Sequence, residues 1–329
     1  MTMLAYDEVD LRNAATAAIR APSLHNTQPW RFRLHEGAIE VLADRSRQLV
    51  VADNTGWAVR IACGAATCNA RLALAARGRP ADVTFLPHEA GPDVVAQLRP
   101  TTPRAPTYPE QALAAAITRR YSNRRPFWPD PVASPARAEL LAAARAEGAW
   151  LDLLVGIVPL AVFAEIAQSA DRVLRRNPLY QTELMQWSHT DDTPDGVPVT
   201  AGAPTAEPQD LLPQRAFAER RRTPGRDFEP EPLVAILGTR GDTPMDQLVA
   251  GQALQRVLLT VVDLGLVSSM MSQPIEVPSA RDQLRLSLRR SGFPQMALRI
   301  GYGRPGRISP RRVLDEVLAA SGEEQDAGD

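Results

Sequence analysis

The apolar pattern of the chain repeats with an offset of 187 residues, so that residue 251 corresponds to residue 64. Residues 63–78 place small side chains first, then apolar side chains at helical spacing, and end in glycine; residues 250–265 do the same. The pairs that share this offset without a gap are Gly64 and Gly251, Ala66 and Ala253, Gly78 and Gly265, and Pro87 and Pro274. The pattern therefore predicts two related halves.

Each half is predicted to contain a strand, a helix that ends at a left-handed glycine, and an extended segment closed by proline. The strands before the two repeat helices are Ala38–Arg45 and Leu233–Arg240. Further strands are predicted at Trp30–Leu34, Trp150–Val155 and Gln295–Ile300. Helices are predicted at Val9–Ile19, Pro109–Arg119, Pro135–Glu147, Leu160–Arg175 and Pro310–Ala320. This mixture indicates α/β or α+β layers.

Two stretches interrupt the pattern. Residues 88–108 are rich in proline and glycine and are expected to link the halves across the surface. Residues 188–229 contain repeated prolines and are too long for an ordinary turn, which is typical either of a loop that covers a site or of a mobile linker. The tail, residues 322–329, is expected to be disordered.

Composition narrows the class of protein. The 329 residues include 37 basic and 38 acidic side chains, a formal charge of −1, so no nucleic acid or acidic membrane is indicated as a partner. Every basic residue is arginine, which excludes lysine chemistry. The two cysteines predict neither a disulfide framework nor a metal site. The start has no signal-peptide pattern and no apolar run could span a bilayer, so a cytoplasmic protein is expected.

Residues 21–32, Ala-Pro-Ser-Leu-His-Asn-Thr-Gln-Pro-Trp-Arg-Phe, join a predicted helix to a predicted strand. Amide side chains here stand beside two prolines that stiffen the backbone, as a site that binds a flat heterocycle requires. The same residues also fit a capped turn in which Ser23 and Asn26 hydrogen-bond to their own backbone. Composition alone favours this second interpretation.

Three further segments are candidates for binding chemistry. Residues 119–127 carry arginines around a serine, a combination that binds phosphate but also occurs on solvated faces. Residues 265–274 follow the second repeat helix and fit an ordinary buried strand equally well. Residues 298–317 run from a strand through a glycine-rich turn to a basic pair, residues 311–312, at the start of a predicted helix, where a phosphate is favoured.

Two of these segments resemble signatures of the FMN-dependent nitroreductase superfamily. They are Pro-Ser-x-x-Asn-x-Gln-Pro-Trp in residues 22–30 and Arg-x-Ser-x-Arg in residues 120–124. The resemblance implies an α+β nitroreductase-like fold in which the first loop lies against the isoalloxazine ring. The residues expected to contact the flavin are Pro22, Ser23, Leu24 and Asn26. His25 is not part of the signature and is interpreted as a partly exposed loop residue.

The resemblance also assigns the rest of the cofactor site. Arg120 and Ser122 would bind the FMN phosphate, with Tyr121 between them. Arg124 would lie near N1 and the C2 carbonyl, where positive charge stabilises the anionic reduced ring. A backbone amide at the end of the third segment would point toward N5, and a basic residue of the fourth would reach the phosphate. The candidates are Met271 and Ser272 for the amide, and Arg312, with Arg311 second, for the phosphate.

The order of the signatures departs from that of an ordinary nitroreductase and is similar to the Acg-like branch. The flavin-facing loop belongs to a first half, residues 1–108, and the phosphate signature to a second half, residues 109–321. One composite site can therefore be assembled from the two halves, as if a dimer had been fused into a single chain. In that branch the long loop, here residues 188–229, acts as a lid.

The resemblance implies an oxidoreductase that takes hydride from NAD(P)H onto one FMN and passes electrons to a nitroaromatic, quinone or similar acceptor. No side-chain acid or base is required, and the chain is expected to act as a monomer that mimics a dimer. The alternatives are a protein that stores or sequesters FMN with little turnover, and a structural descendant without flavin.

Overall fold

The structure is a computed structural model. It describes residues 4–88, 91–190, 193–205, 207, 209–215, 217, 222 and 227–320. The predicted disordered tail and parts of the long loop lie outside these residues. The helices of the described residues are α1 Glu8–Ala18, α2 Trp57–Ala76, α3 Tyr108–Ile117, α4 Ser134–Arg145, α5 Ile157–Arg176, α6 Pro178–Gln186, α7 Pro244–Asp263, α8 Gln273–Glu276, α9 Pro278–Ser287 and α10 Leu314–Val317. The strands are β1 Trp30–His35, β2 Ala38–Ala43, β3 Ala81–Phe85, β4 Val94–Pro100, β5 Trp150–Leu154, β6 Ser188–His189, β7 Val197–Pro198, β8 Leu233–Thr239, β9 Val267–Met271 and β10 Phe293–Gly301.

Two four-stranded sheets have the same topology. The first has the order β1-β2-β4-β3 and the second β5-β8-β10-β9, and every neighbouring pair is antiparallel. In each sheet the strand after the repeat helix lies at one edge, and the next strand inserts between it and the strand that precedes the helix. The α+β fold and its internal duplication are therefore visible in the strand order itself.

All five predicted strands are confirmed, but β4 and the two-residue strands β6 and β7 were not predicted. Residues 94–100, predicted to lie in a surface link, form β4 in the interior of the first sheet, between β2 and β3. The side chains from Val94 to Leu98 are buried. This strand was not recognised in the sequence for two reasons. The run is short and stands among prolines and glycines, and it lacks the alternation of apolar and polar residues that marks a half-buried strand.

The repeat helices α2 and α7 cross where both have glycine. A Cβ on Gly64 would lie 2.1 Å from the carbonyl oxygen of Leu248, and a Cβ on Gly251 would lie 2.2 Å from that of Ile61. These two contacts exchange under the 187-residue offset, as contacts across a two-fold axis do. Leu248 is buried in the core of the first half, while Ile61 is buried in the core around the second sheet. The two halves therefore share their hydrophobic interior.

The C-terminal segment is irregular for most of its length, which corrects the predicted helix Pro310–Ala320. Only Leu314–Val317 is helical. The backbone of Leu318 forms a parallel bridge with Phe32 of β1, and the Ala319 amide donates to the Phe32 carbonyl at 2.8 Å. Hydrogen bonds to the first half therefore compete with helix formation. Local sequence does not predict them, because the partners are distant in the chain.

Within the described part of residues 188–229, regular structure is limited to the two-residue strands β6 and β7 and one 3-10 turn, Val199–Ala201. The helices of the described ranges include none that combines the length and the apolar character needed to cross a membrane.

Replacing Gly251 with Ala is expected to lower the free energy of unfolding by about 1–3 kcal/mol, because the new methyl group would overlap backbone atoms of α2. Urea unfolding followed by circular dichroism measures the loss. Gly91→Ala is the matched control, since a Cβ there meets nothing within 4 Å, and a change within about 0.5 kcal/mol is expected. Equal stability of the two variants would contradict the tight crossing.

Candidate functional site

A cleft of about 750 Å³, counted to its open mouth, lies where the two halves meet. One wall comes from residues 22–25 and the start of α2, and the opposite wall from residues 269–273, Leu254 and Met296. Arg124 and part of the long loop, residues 213–215 and 217, complete the lining. The cleft therefore has no complete counterpart within either half.

The loop of residues 21–32 combines both interpretations drawn from its sequence. The Ser23 hydroxyl accepts a hydrogen bond from the Gln28 amide at 2.9 Å, as a capped turn would. His25, Asn26 and Gln28 have positive φ angles of 51°, 59° and 52°. Pro22, Ser23 and Leu24 nevertheless line the cleft, so the turn presents them where a ligand would lie.

Asn26 and Gln28 attach other segments to this loop. The Asn26 side-chain amide donates to the carbonyl of Gly196 at 2.9 Å and to that of Pro310 at 3.1 Å. The Gln28 amide donates to the carbonyl of Pro194 at 2.8 Å, and its oxygen accepts from the Arg312 backbone amide at 2.9 Å. Asn26 is not part of the cleft lining, and its contact with flavin stays a prediction.

His25 is buried, which corrects its interpretation as a partly exposed residue. Its side chain is only 4% exposed and packs edge-on against Tyr180 and Phe217. Its Nε2 accepts a hydrogen bond from Arg215, and its Nδ1 is buried without a partner among the described residues. Burial, then the positive charges of Arg215 and Arg124, hold the pKa of His25 well below 6.5. The imidazole is therefore neutral.

Arg120 is a buried cation and Arg124 a half-buried one, and neither has a carboxylate partner among the described residues. Arg120 donates to the Arg20 carbonyl at 3.1 Å and its Nε is unpartnered, while Arg124 donates to the Ala201 carbonyl at 3.2 Å. Burial lowers the pKa of both to about 10, and the charge of a neighbouring arginine adds to the effect. Uncompensated buried charge is costly, so this region favours an anion.

Between these arginines, Tyr121 and Ser122 are half-buried. The Tyr121 ring packs over Gly306, where a Cβ would come within 2.8 Å of it. The Ser122 hydroxyl has no hydrogen-bond partner in the part of the chain that the structure describes. It remains available to a ligand, and the assignment of both residues to a cofactor site stays a prediction.

The structure places Arg311, rather than the favoured Arg312, beside Arg120. Both Arg311 and Arg120 donate to the Arg20 carbonyl. Arg311 also uses its remaining N–H groups on the carbonyls of Ile19, Ala21, Ser309 and Pro310. Arg312 instead lies 3.7 Å from Asp44 and 3.4 Å from Glu316. A role for either in binding phosphate stays a prediction, but of the two only Arg311, like Arg120, has no carboxylate partner within the described ranges.

Met271 and Ser272 stand at the end of β9 and both line the cleft. Met271 is paired with Ala297 in the sheet, and the Ser272 hydroxyl accepts a hydrogen bond from Arg215 at 3.2 Å. The third segment is thus both a buried strand and a wall of the cleft. Which of its backbone amides would face a bound ring stays a prediction.

Sequence reasoning missed Arg215, Glu276 and Tyr180. Arg215 donates to Glu276 as well as to His25, and the Tyr180 hydroxyl donates to the second oxygen of Glu276 at 3.2 Å. The only signal for Arg215 was its position in the predicted covering loop. Nothing local separates it from the other arginines, because its partners are distant in sequence.

Asn26→Ala, measured without added flavin, is expected to lower the free energy of unfolding by about 1–3 kcal/mol, because one buried and one half-buried carbonyl lose their donor. Chemical denaturation checks the loss. Asn54, which is exposed and makes no side-chain hydrogen bond within the described ranges, provides the matched Asn→Ala control. If both variants behave alike, Asn26 does not hold the loop and the C-terminal segment together.

The chain was compared with known proteins. No family model matches it. A Mycobacterium tuberculosis protein named "Putative NAD(P)H nitroreductase" is 32% identical over 329 residues, covering 95% of this chain and 92% of that protein. The similarly named protein acg from the same organism is 27% identical, covering 96% and 97%. Among solved structures, FMN-dependent nitroreductase NfnB from Mycobacterium smegmatis, in complex with NADPH, is 18% identical with a TM-score of 0.41, covering 64% of this chain and 99% of that one. From the full-length relatives we conclude that the chain belongs to the NAD(P)H nitroreductase family.

Proposed function

We propose that the chain binds one FMN in the cleft and transfers electrons from NAD(P)H to a nitroaromatic, quinone or similar small acceptor. The observation that carries this proposal is a pair of guanidiniums, buried Arg120 and half-buried Arg124, which lack a carboxylate partner among the described residues; Arg124 lines the cleft, and Arg120 lies four residues before it in the chain. The names of the full-length relatives support the same activity.

The residues present fit FMN in two respects. The apolar side chains of Leu24, Ile61, Leu254 and Met296 suit the faces of a flat ring system. The unpartnered Nε of buried Arg120 and the free hydroxyl of Ser122 suit a phosphate, which would supply the missing negative charge.

FMN, when bound, supplies hydride acceptance and electron transfer. Arg124 contributes positive charge at the cleft and so favours a negatively charged ring. Residues 22–24 and 271–272 form opposing walls that orient a ligand, with Arg120, Tyr121 and Ser122 on the phosphate side. We assign Arg311 to the electrostatic environment of that phosphate and Arg312 to the attachment of the C-terminal segment.

We also propose that residues 1–108 and 109–321 correspond to the two subunits of an ancestral dimer and that the chain acts as a monomer. The matching strand orders and the reciprocal contacts at Gly64 and Gly251 support this interpretation. Since the cleft takes walls from both halves, a half alone would not bind the cofactor.

A second candidate function is the storage of FMN with little turnover. It is favoured by the attachment of the long loop across the cleft through Arg215 and through the backbone of residues 194 and 196. A loop held at both places would restrict the approach of nicotinamide.

Arg120→Gln is expected to weaken FMN binding by about tenfold to a hundredfold, the value of a lost hydrogen bond to a charged group. Riboflavin, which has no phosphate, should bind both proteins equally well. Fluorescence titration of each flavin gives the two affinities. Arg119→Gln is the matched control, because its side chain is exposed and, among the described residues, donates only to the Ala115 carbonyl, at 3.3 Å. Unchanged FMN affinity in Arg120→Gln would contradict the phosphate assignment.

The visible spectrum of the FMN-loaded protein under anaerobic conditions distinguishes the two candidate functions. An oxidoreductase predicts that the yellow flavin band bleaches on addition of NADPH or NADH. A band that persists with both nucleotides but bleaches with dithionite would instead support storage of FMN.

A further inference from the structure

A second groove, separate from the cleft, opens at one end of the second sheet. It measures about 670 Å³, counted to its open mouth, and shares no lining residue with the cleft. The ends of three neighbouring strands line it through Leu154 of β5, Leu233 of β8 and Ile300 of β10. Residues 127–132 and the first turn of α5 line it as well. The proposed flavin site therefore leaves this groove without a function.

Exposed apolar side chains concentrate at this groove. The exposed fractions are 50% for Trp128, 57% for Val155 and 77% for Ile157, all of which line the groove, and 74% for the adjoining Val158. The last three belong to residues 153–164, a run without any polar side chain. Single exposed apolar residues are common on proteins, whereas a cluster of them around a concave surface is typical of a binding surface.

The charged groups of the groove are mainly acidic. Asp130 and Glu231 are exposed and form no ion pair in the part of the chain that the structure describes. Glu229 is buried and lies 3.3 Å from Arg299, which compensates its charge. Arg137 is the one cation among the described lining residues, and its Nε donates to a backbone carbonyl at 2.7 Å. The surface therefore combines apolar contacts with two carboxylates that no ion pair compensates.

This combination favours a basic protein segment over two other occupants of an apolar surface. The carboxylates would repel a bilayer that contains anionic lipids. A second copy of the chain, docked about a two-fold axis through the groove, would place the same carboxylates opposite each other, and like charges across an interface are costly. Arginine or lysine beside aliphatic side chains would instead match both the apolar and the acidic parts of the surface.

We propose that this groove docks a segment of another protein in which arginine or lysine stands beside aliphatic side chains. The aliphatic side chains would cover Trp128 and Ile157, and the basic group would pair with Asp130 or Glu231. A guanidinium would also be favoured over the face of the exposed Trp128 ring. The proposal goes beyond the proposed function and does not depend on bound flavin.

Selection from a random peptide library displayed on phage, with the purified full-length protein as the target, tests this docking surface. Peptides that carry arginine or lysine next to leucine, isoleucine or valine should be enriched. A synthetic copy of the most enriched peptide is then the probe in isothermal titration calorimetry. Ile157→Ser should weaken its binding about tenfold to a hundredfold, the value of burying one large aliphatic side chain. Leu286→Ser is the matched control, because Leu286 is also 77% exposed but lies outside the groove.

The acidic part of the surface is tested with the same synthetic peptide. Asp130→Asn combined with Glu231→Gln should weaken binding about threefold to tenfold, as expected for the loss of two partly screened ion pairs. Asp263→Asn combined with Asp282→Asn changes two exposed carboxylates outside the groove and should leave the affinity for the peptide unchanged.

The proposal is overturned if peptides of this composition are not enriched, or if the enriched peptide binds Ile157→Ser as tightly as the wild type. Two other results would overturn it by identifying a different occupant. One is sedimentation of the wild type, but not of Ile157→Ser, with phosphatidylglycerol vesicles. The other is a dimer in analytical ultracentrifugation that Ile157→Ser abolishes. FMN affinity should be the same in all these variants, so failure of the flavin proposal is distinguishable from failure of this one.

Discussion

The rest of the structure depends on the close approach of two helix backbones at Gly64 and Gly251. A side chain at either position would force the helices apart, because a Cβ would lie within about 2 Å of a carbonyl oxygen of the opposite helix. Polar pairs flank the crossing and fix its rotation: Arg60 Nε donates to Gln247 at 2.5 Å, and Gln255 donates to Asn69 at 2.6 Å. The two halves are therefore joined by close backbone contact between α2 and α7 rather than by the interlocking of large side chains.

This crossing determines where a ligand can lie. Trp57, Ala58, Ile61 and Ala62 occupy one side of the first turns of α2, and all four line the cleft. The crossing begins directly after them, so Leu254 of α7 is brought to the same space. Asp53 secures the start of the helix by accepting from the amides of Ala58 and Val59 at 2.9 and 3.0 Å. A shift of either helix would change the walls of the cleft.

Local sequence predicted the features that are determined by neighbouring residues in the chain. Gly78 and Gly265, predicted as left-handed helix ends, have φ angles of 77° and 70°. What local sequence could not predict depends on distant partners. The C-terminal segment fails to continue as a helix because Arg311 and Leu318 bond to the first half, and His25 is buried because Tyr180 and Phe217 pack against it. For the site, the motifs found Pro22, Ser23, Leu24, Arg124, Met271 and Ser272 in the cleft lining but gave no indication of Arg215.

The charge at the site depends on where each arginine lies relative to the carboxylates, and not on the overall composition of the chain. The chain as a whole is nearly neutral, and three arginines around the site are paired with carboxylates: Arg215 with Glu276, Arg312 with Asp44 and Glu316, and Arg47 with Asp195. Arg120, which is buried, and Arg124 and Arg311, which are half-buried, have no such partner in the described ranges, and desolvation lowers the pKa of each. Backbone carbonyls satisfy many of their donors but cannot cancel their charge. The fold therefore retains a local excess of positive charge that an anionic ligand would compensate, and this excess, rather than any acid or base, is the chemical character of the site.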